Sequence, residues 1–317
     1  MRILLAVLAL AFSTLAQAQA FPSRPVTIII PYPPGGLIDL VARALQPFLQ
    51  QELGVNVVTE NRSGAGGNVG AEVVSRAAPD GHTLLLANPS LAISPTLYKK
   101  LNYRPIEDFA YVSRFGSVAN VMVANINQPF KTAQELIAFA KKNPGRLNYG
   151  SPGYGTSPQL SGELFKTMSN TFIVHIPFSG SGPATLALLG GEIETQFDNI
   201  PPQVGNIKAG KVRALAVTSL QRNSALPDVP TLDEIGLKGY EVVSFFGLAA
   251  RAGTPRESVM RLNTALNNAT RTPKLREILE SRGAVVVQGT PEDFTNFIKA
   301  ETAKFAPVIK RTGVQVE

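Results

Sequence analysis

Apolar residues recur along this chain in two alternating patterns. Short runs of strand length at residues 26–30, 55–59 and 83–87 are separated by stretches such as Leu40, Ala44, Leu45, Phe48 and Leu49, whose spacing is helical. Residues 71–78 continue the helical pattern up to a Pro79-Asp80-Gly81 turn. A continuous apolar run such as 26–30 suits a strand buried on both faces, so the alternation predicts an α/β fold with a mostly parallel sheet. A long β-prone run at 111–125 leads into a second α/β unit. Its predicted elements are a helix at 131–140 stopped by Asn143-Pro144-Gly145, strands at 147–149, 172–176, 195–199 and 214–218, and helices through Phe165 and to Leu189. Another β-prone run, 242–249, precedes a helix at 257–269, a strand at 285–287 and a last long helix opened by Pro291-Glu292-Asp293.

Side-chain-poor turns stand where these strands end. Pro31-Tyr32-Pro33-Pro34-Gly35-Gly36 joins the first strand to a helix; glycines there can take positive φ and admit another molecule to the backbone, while the helix start offers unpaired N–H groups and a positive dipole end. Such a turn suits an anion, and equally a tight, well-capped connection. Asp39 falls in the first helical turn with Arg43 at the i,i+4 spacing for an ion pair. Similar loops follow at Gly64 to Gly70, Gly150 to Ser157 and Ser179 to Gly182. In open α/β sheets, ligands collect at such strand ends.

The composition narrows the classes. With 44% hydrophobic and 17% charged residues the chain must build a real core, which excludes a disordered or fibrous protein. Arg2, the apolar run 3–12 and overlapping Ala16-Gln17-Ala18 and Ala18-Gln19-Ala20 sites predict a secretory leader, residues 1–20, cleaved after Ala20. Its loss takes the formal charge from +7 to +6 by removing Arg2. Zero cysteines exclude disulfides and thiol chemistry, and the periplasm is the expected compartment. Lys and Arg are scattered rather than clustered, so the basic balance reads as solubility and mild attraction for anions, not nucleic-acid binding.

Catalytic and cofactor motifs are weak. Gly64-Ala65-Gly66-Gly67-Asn68-Val69 falls short of a dinucleotide fingerprint at Val69, and Gly205 to Lys211 has Walker spacing with Val212 in place of Ser or Thr. His82 and His175 lack zinc-like partners, and Ser151, Ser157, Ser179 and Ser181 show no nucleophile elbow with a partnered histidine. Asp198-Asn199, at a strand end, is read evenly as ligand acceptor or chain turn. What remains is a binding cleft able to donate backbone N–H and hydroxyl groups to a small anion.

Several linked motifs in order carry a family likeness: Pro31 to Gly36 with Asp39 and Ala42-Arg43, Glu60-Asn61-Arg62 through Gly70-Ala71, Pro79-Asp80-Gly81 before Thr83-Leu84-Leu85, Gly150 to Gly153 with Gly155-Thr156-Ser157, and Gly253-Thr254-Pro255. From Phe21 onward the chain resembles the Bug-type substrate-binding proteins of tripartite tricarboxylate transporters. The resemblance implies a two-domain, type II periplasmic binding-protein (Venus-flytrap) α/β fold with two crossover strands. Residues 21–122 and 245–317 would form domain one and residues 123–244 domain two. Carried over residue by residue, it places Tyr32, Pro34, Gly35, Gly36, Gly66, Gly67 and Asn68 on the anion-holding side, faced by Ser151, Thr156, Ser157, Ser179, Gly180 and Asp198. Asp39 would organise the first loop.

The implied function is capture of a small organic carboxylate and its delivery to the membrane permease subunits of a tripartite transporter, by a monomeric receptor with no catalysis, cofactor or metal. A sensing protein signalling to a membrane partner and an enzyme on the same fold are the alternatives. Departures fall in the selective half: Phe178-Ser179-Gly180 stands where relatives show Tyr-Lys-Gly, Pro158-Gln159 where they often have His, and Phe245 where tryptophan is usual. The missing lysine favours a monocarboxylate or aromatic acid over a ligand with several carboxylates.

Overall fold

The computed structural model describes residues 21–317, and the expected leader, 1–20, lies outside the described residues. The first unit runs β1 (Val26–Ile30), α1 (Leu37–Leu53), β2 (Val57–Asn61), α2 (Asn68–Ser75), β3 (Thr83–Ala87) and α3 (Ser90–Leu97). Ile28 and Ile30 of β1 are fully buried, as a continuous apolar strand requires. Along α1 the sequence repeats Leu37, Val41, Leu45 and Leu49 on one face; all four are buried, each contributing roughly 1.5–3 kcal/mol. Gly54, at φ 73°, ends the helix in the left-handed conformation that a Cβ would disfavour.

β4 (Phe109–Asn125) leads to the second unit: α4 (Ala133–Lys142), β5 (Asn148–Ser151), α5 (Ser157–Ser169), β6 (Val174–Pro177), α6 (Ser181–Gly190), β7 (Thr195–Asn199), α7 (Ile200–Lys208) and β8 (Val212–Val217). β9 (Val243–Arg251) returns the chain to α8 (Arg256–Arg271), α9 (Pro273–Glu280), β10 (Ala284–Val286) and α10 (Pro291–Thr312).

The sheet is mixed rather than mostly parallel. β1 pairs in parallel with β2 and β3, and β5 with β6 and β7, but β4 and β9 run antiparallel between these two groups. The reason is topological: one strand carries the chain out of the first lobe and the other brings it back. β4 pairs with β9 up to Ala119, then with β7 and β8 from Asn120 onward, so the strand changes sheets in mid-course.

Helices α3, α7 and α9 were not expected from the sequence; α3 contains Pro95, and α7 and α9 open on prolines that read locally as breakers. α10 opens with a Thr290–Asp293 capping box, worth about 1 kcal/mol. Its later residues Phe305 and Ile309 join the second lobe's core with Leu136 and Phe165, and Val316 N–H reaches the carbonyl of Leu97. The C-terminal segment therefore braces both lobes.

Candidate functional site

Five helices begin on one cleft between the lobes. Their N-cap residues, Gly36 of α1, Pro89 of α3, Thr156 of α5, Gly180 of α6 and Asn199 of α7, all line it. The cleft has a cavity volume of about 40 Å³, room for little more than a water or two, so the lobes lie closed on one another here. Among the described residues, no Asp, Glu, Lys, Arg or His lines it.

The helix starts differ in what they offer. Thr156 caps α5 with its own hydroxyl, and Asn88 Oδ1 accepts from Ser90 N–H at the start of α3. α1 has no side-chain cap, and the N–H groups of Gly36, Leu37, Ile38 and Asp39 have no partner among the described residues. Asp39 turns away from the cleft: its carboxylate accepts from Gly35 N–H at 3.0 Å, from Asn61 Nδ2 at 3.0 Å, and from Arg43. Burial alone would raise the Asp39 carboxyl, but the Arg43, Gly35 and Asn61 hydrogen bonds hold it below the usual carboxylate range. A short polar network thus fixes the loop and leaves a ring of backbone donors facing the cleft, at the positive end of a 17-residue helix.

The expected site residues divide into three groups. Tyr32, Gly36, Thr156, Ser157 and Gly180 line the cleft. Tyr32, Gly66, Gly67 and Ser179 line an adjoining outer recess. The Tyr32 hydroxyl bridges Gly66 O at 3.0 Å and Asn88 Oδ1 at 3.1 Å, and its burial pushes its pKa far up, so it ties loops together as a neutral phenol.

Pro34, Gly35, Asn68, Ser151 and Asp198 line neither space. Pro34 and Gly35 lie exposed on the outer side of the turn; Gly35 takes φ 90°, whereas Gly36 is extended at φ −81°, so positive φ is needed at only one of the pair. Asn68 is buried against Tyr103, whose hydroxyl donates to its Oδ1 at 2.7 Å. Ser151 is wholly buried; its Oγ lies 2.7 Å from His175 Nε2 and accepts from Gly153 N–H.

That Ser151–His175 pair is a partnered histidine that the sequence did not reveal, because it depends on the β5–β6 register. It is not a nucleophile and base. Ser151 has no access to solvent, the imidazole has no carboxylate partner among the described residues, and burial lowers His175 to about 4. Stacked on Tyr149, the ring orders the loop that carries Tyr154.

Asp198 sits behind the wall. Its carboxylate accepts from Ser181 Oγ at 2.9 Å, Asn199 N–H at 2.8 Å, Gln203 Nε2 at 2.8 Å and Gln196 Nε2 at 3.1 Å. Burial raises it to about 6, despite those hydrogen bonds. Ser181 and Asn199 do line the cleft; in the sequence Ser181 was seen only as part of a glycine loop, and Asn199 was read evenly as ligand acceptor or turn. Asn88 and Pro89 could have been found from the helix-start signal Asn-Pro-Ser, which Pro95 obscured.

Residues 41–314 match the model of the tripartite tricarboxylate transporter family receptor. The chain belongs to that family. BugT of Bordetella pertussis is 36% identical over 303 residues, covering 95% of this receptor and 93% of BugT. MatC from Rhodopseudomonas palustris, solved with bound malate, superposes with a TM-score of 0.85 at 33% identity, over 91% of this chain and all of MatC. An R. palustris protein solved with adipate gives a TM-score of 0.90 at 34% identity, over 93% of this chain and 99% of its own. The fold is therefore the two-lobed type II periplasmic binding-protein architecture, and the family is one of substrate-binding receptors.

Proposed function

We propose that this chain is a periplasmic receptor, exported by its leader, that captures a small organic carboxylate between its lobes and hands it, as a monomer, to the permease subunits of a tripartite transporter. It does so without catalysis or cofactor. The observation that carries this reading is the uncapped first turn of α1: several unpartnered N–H groups at a positive dipole end, in a cleft without any charged side chain. A hydrogen bond to a charged group contributes about 1.5–3 kcal/mol, so a few such donors reach the roughly −8 kcal/mol of micromolar affinity. The malate and adipate held by the two structural relatives are carboxylates of the same kind. We divide the lobes at the partner switch on β4 and at the start of β9, close to the limits 122/123 and 244/245 expected from the sequence.

A thermal-shift screen of organic acids tests the proposal. A true ligand at a hundredfold excess over Kd adds about 2.7 kcal/mol. Recovery of that ligand chemically unchanged supports a receptor, whereas its turnover contradicts one. Stabilisation by none of the acids contradicts the carboxylate reading.

A further inference from the structure

Ser181 stands where the lobes meet. Its Oγ is the nearest atom to a Cβ built on Gly36, at 3.7 Å, so the hydroxyl faces the first turn of α1 across the cleft. The start of α6 is like that of α1: it has no side-chain cap, and the N–H groups of Ser181 and Gly182 have no partner among the described residues. Two positive helix ends converge on one spot, and a carboxylate seated there lies against the Ser181 hydroxyl.

Behind that hydroxyl is Asp198, wholly buried, whose Oδ1 accepts from Ser181 Oγ at 2.9 Å. An ionised carboxylate can only accept, so it holds the Ser181 proton and leaves the oxygen lone pairs to the cleft. A carboxylate arriving on α1 then meets a lone pair with a second, buried negative charge behind it. No cation offsets that charge among the described residues: the groups bonded to Asp198 are the neutral Ser181, Gln196 and Gln203 side chains and the Asn199 N–H. β4, β5, α5, α6 and α7 pack against its strand. Neither the rest of β7, nor α6, nor the 120–125 stretch of β4 carries a titratable residue, and α7 carries only the exposed Lys208 at its far end. Tyr149 of β5 and Lys166 of α5 are both bonded to Glu163 of α5, and Tyr149 packs on Phe197, whose side chain points to the opposite face of β7. The cluster is also one donor short, because Gln203 Oε1 is buried with no partner among the described residues.

We propose that anion capture is coupled to protonation of Asp198: the carboxylate binds together with a proton drawn from solvent, which settles on Asp198 and reverses its hydrogen bond to Ser181. The Asp198 O–H then donates to Ser181 Oγ, and the freed Ser181 proton turns to the ligand. The proton goes to Asp198 because burial already raises that carboxyl to about 6, whereas an ordinary carboxylate lies at roughly 4 and backbone donors lower it further. Binding a second negative charge raises Asp198 again, so affinity climbs as pH falls from 8 to 6 and levels off below. This rests on the carboxylate-receptor reading above. Asp198 is a positioning residue here: it sets affinity through Ser181 without touching the ligand.

The test is calorimetric titration with malate, adipate, butyrate and benzoate, run at pH 7 in two buffers of different ionisation enthalpy, imidazole and PIPES, so that the difference in heat counts protons exchanged. For each acid that binds, the parent takes up at least about 0.3 proton per ligand at pH 7 and binds at least fivefold more tightly at pH 6 than at pH 8. In Asp198→Asn, which keeps the shape and removes the charge, uptake falls below about 0.1 and the two affinities agree within twofold. A merely structural loss would weaken binding by the same factor at both pH values and leave the uptake unchanged. Heats independent of buffer with affinity independent of pH in the parent, or a linkage that Asp198→Asn retains, overturn the inference while leaving the receptor reading intact. Failure of all four acids to bind overturns the receptor reading itself, and this inference with it.

Discussion

A Cβ built on Gly66 would overlap the backbone carbonyl oxygen of Tyr154. Gly66 belongs to the loop after β2 and Tyr154 to the loop after β5, so this contact joins the two lobes. Gly180 meets Pro33, and Gly36 meets Ser181, across the same seam. The structure is a closed one, and at Gly66 its two faces meet backbone to backbone.

Gly66→Ala should therefore hold the lobes apart. The substitution also places a side chain at φ 65°, which costs about 1 kcal/mol. Expected are a folded protein by circular dichroism, ligand affinity reduced at least tenfold, and no fall in the radius of gyration when ligand is added, whereas the parent compacts. A variant that binds and compacts like the parent contradicts the closure account.

Gly36→Val acts differently. Gly36 is extended, so no backbone strain arises, and the nearest atom to an added Cβ is Ser181 Oγ at 3.7 Å. The branched side chain would instead occupy the space in front of the α1 donors. The variant should melt within a few degrees of the parent and lose at least a hundredfold in affinity by calorimetry. Unchanged affinity would remove the ligand from this loop.

Asp39→Asn should cost about 1–2 kcal/mol near neutral pH, because it weakens a buried carboxylate's bonds to Gly35, Asn61 and Arg43. The folded carboxyl lies below its ordinary value, so the stabilisation is present above the unfolded value of about 4 and fades as pH falls through the folded one. Paired thermal melts should show the gap between parent and variant narrowing below about pH 4. A gap constant with pH would show that the charge of Asp39 is immaterial.

Asp198 has the opposite sign. Its folded value is about 6 against 3.8, so its contribution favours the folded state at low pH and is lost as pH rises through about 6, a cost of about 3 kcal/mol at pH 7.5. Asp198→Asn should therefore be more stable than the parent at pH 7.5, with the advantage gone by pH 4. Reversal of that order would mean that the hydrogen bonds of the carboxylate outweigh its burial. A site acid kept at the expense of stability is expected where function needs it.

Much of the fold was legible because strand runs, glycine turns and helical spacings are local signals. The mixed sheet was not: nothing in the apolar run of β4 tells its first half, beside β9, from its second, beside β7 and β8. Gly36, Thr156, Ser157 and Gly180 were found because a strand-to-helix turn is visible in sequence. Asp198 and Ser151 were expected to face the ligand from the family resemblance. Their directions are set by Ser181, Gln203 and His175, which only the tertiary structure brings near. Ser181 and Asn199 line the cleft where those two residues do not.

The most direct measurement is a two-dimensional amide NMR titration of the isotope-labelled protein with a carboxylate found in the screen, resonances assigned, followed at Gly36, Leu37 and Ile38. If the carboxylate sits on the start of α1, these three N–H signals move downfield more than others in the first lobe, with a midpoint equal to the calorimetric Kd. If they stay in place while signals elsewhere shift with that midpoint, the anion is not held there, and the central claim is wrong.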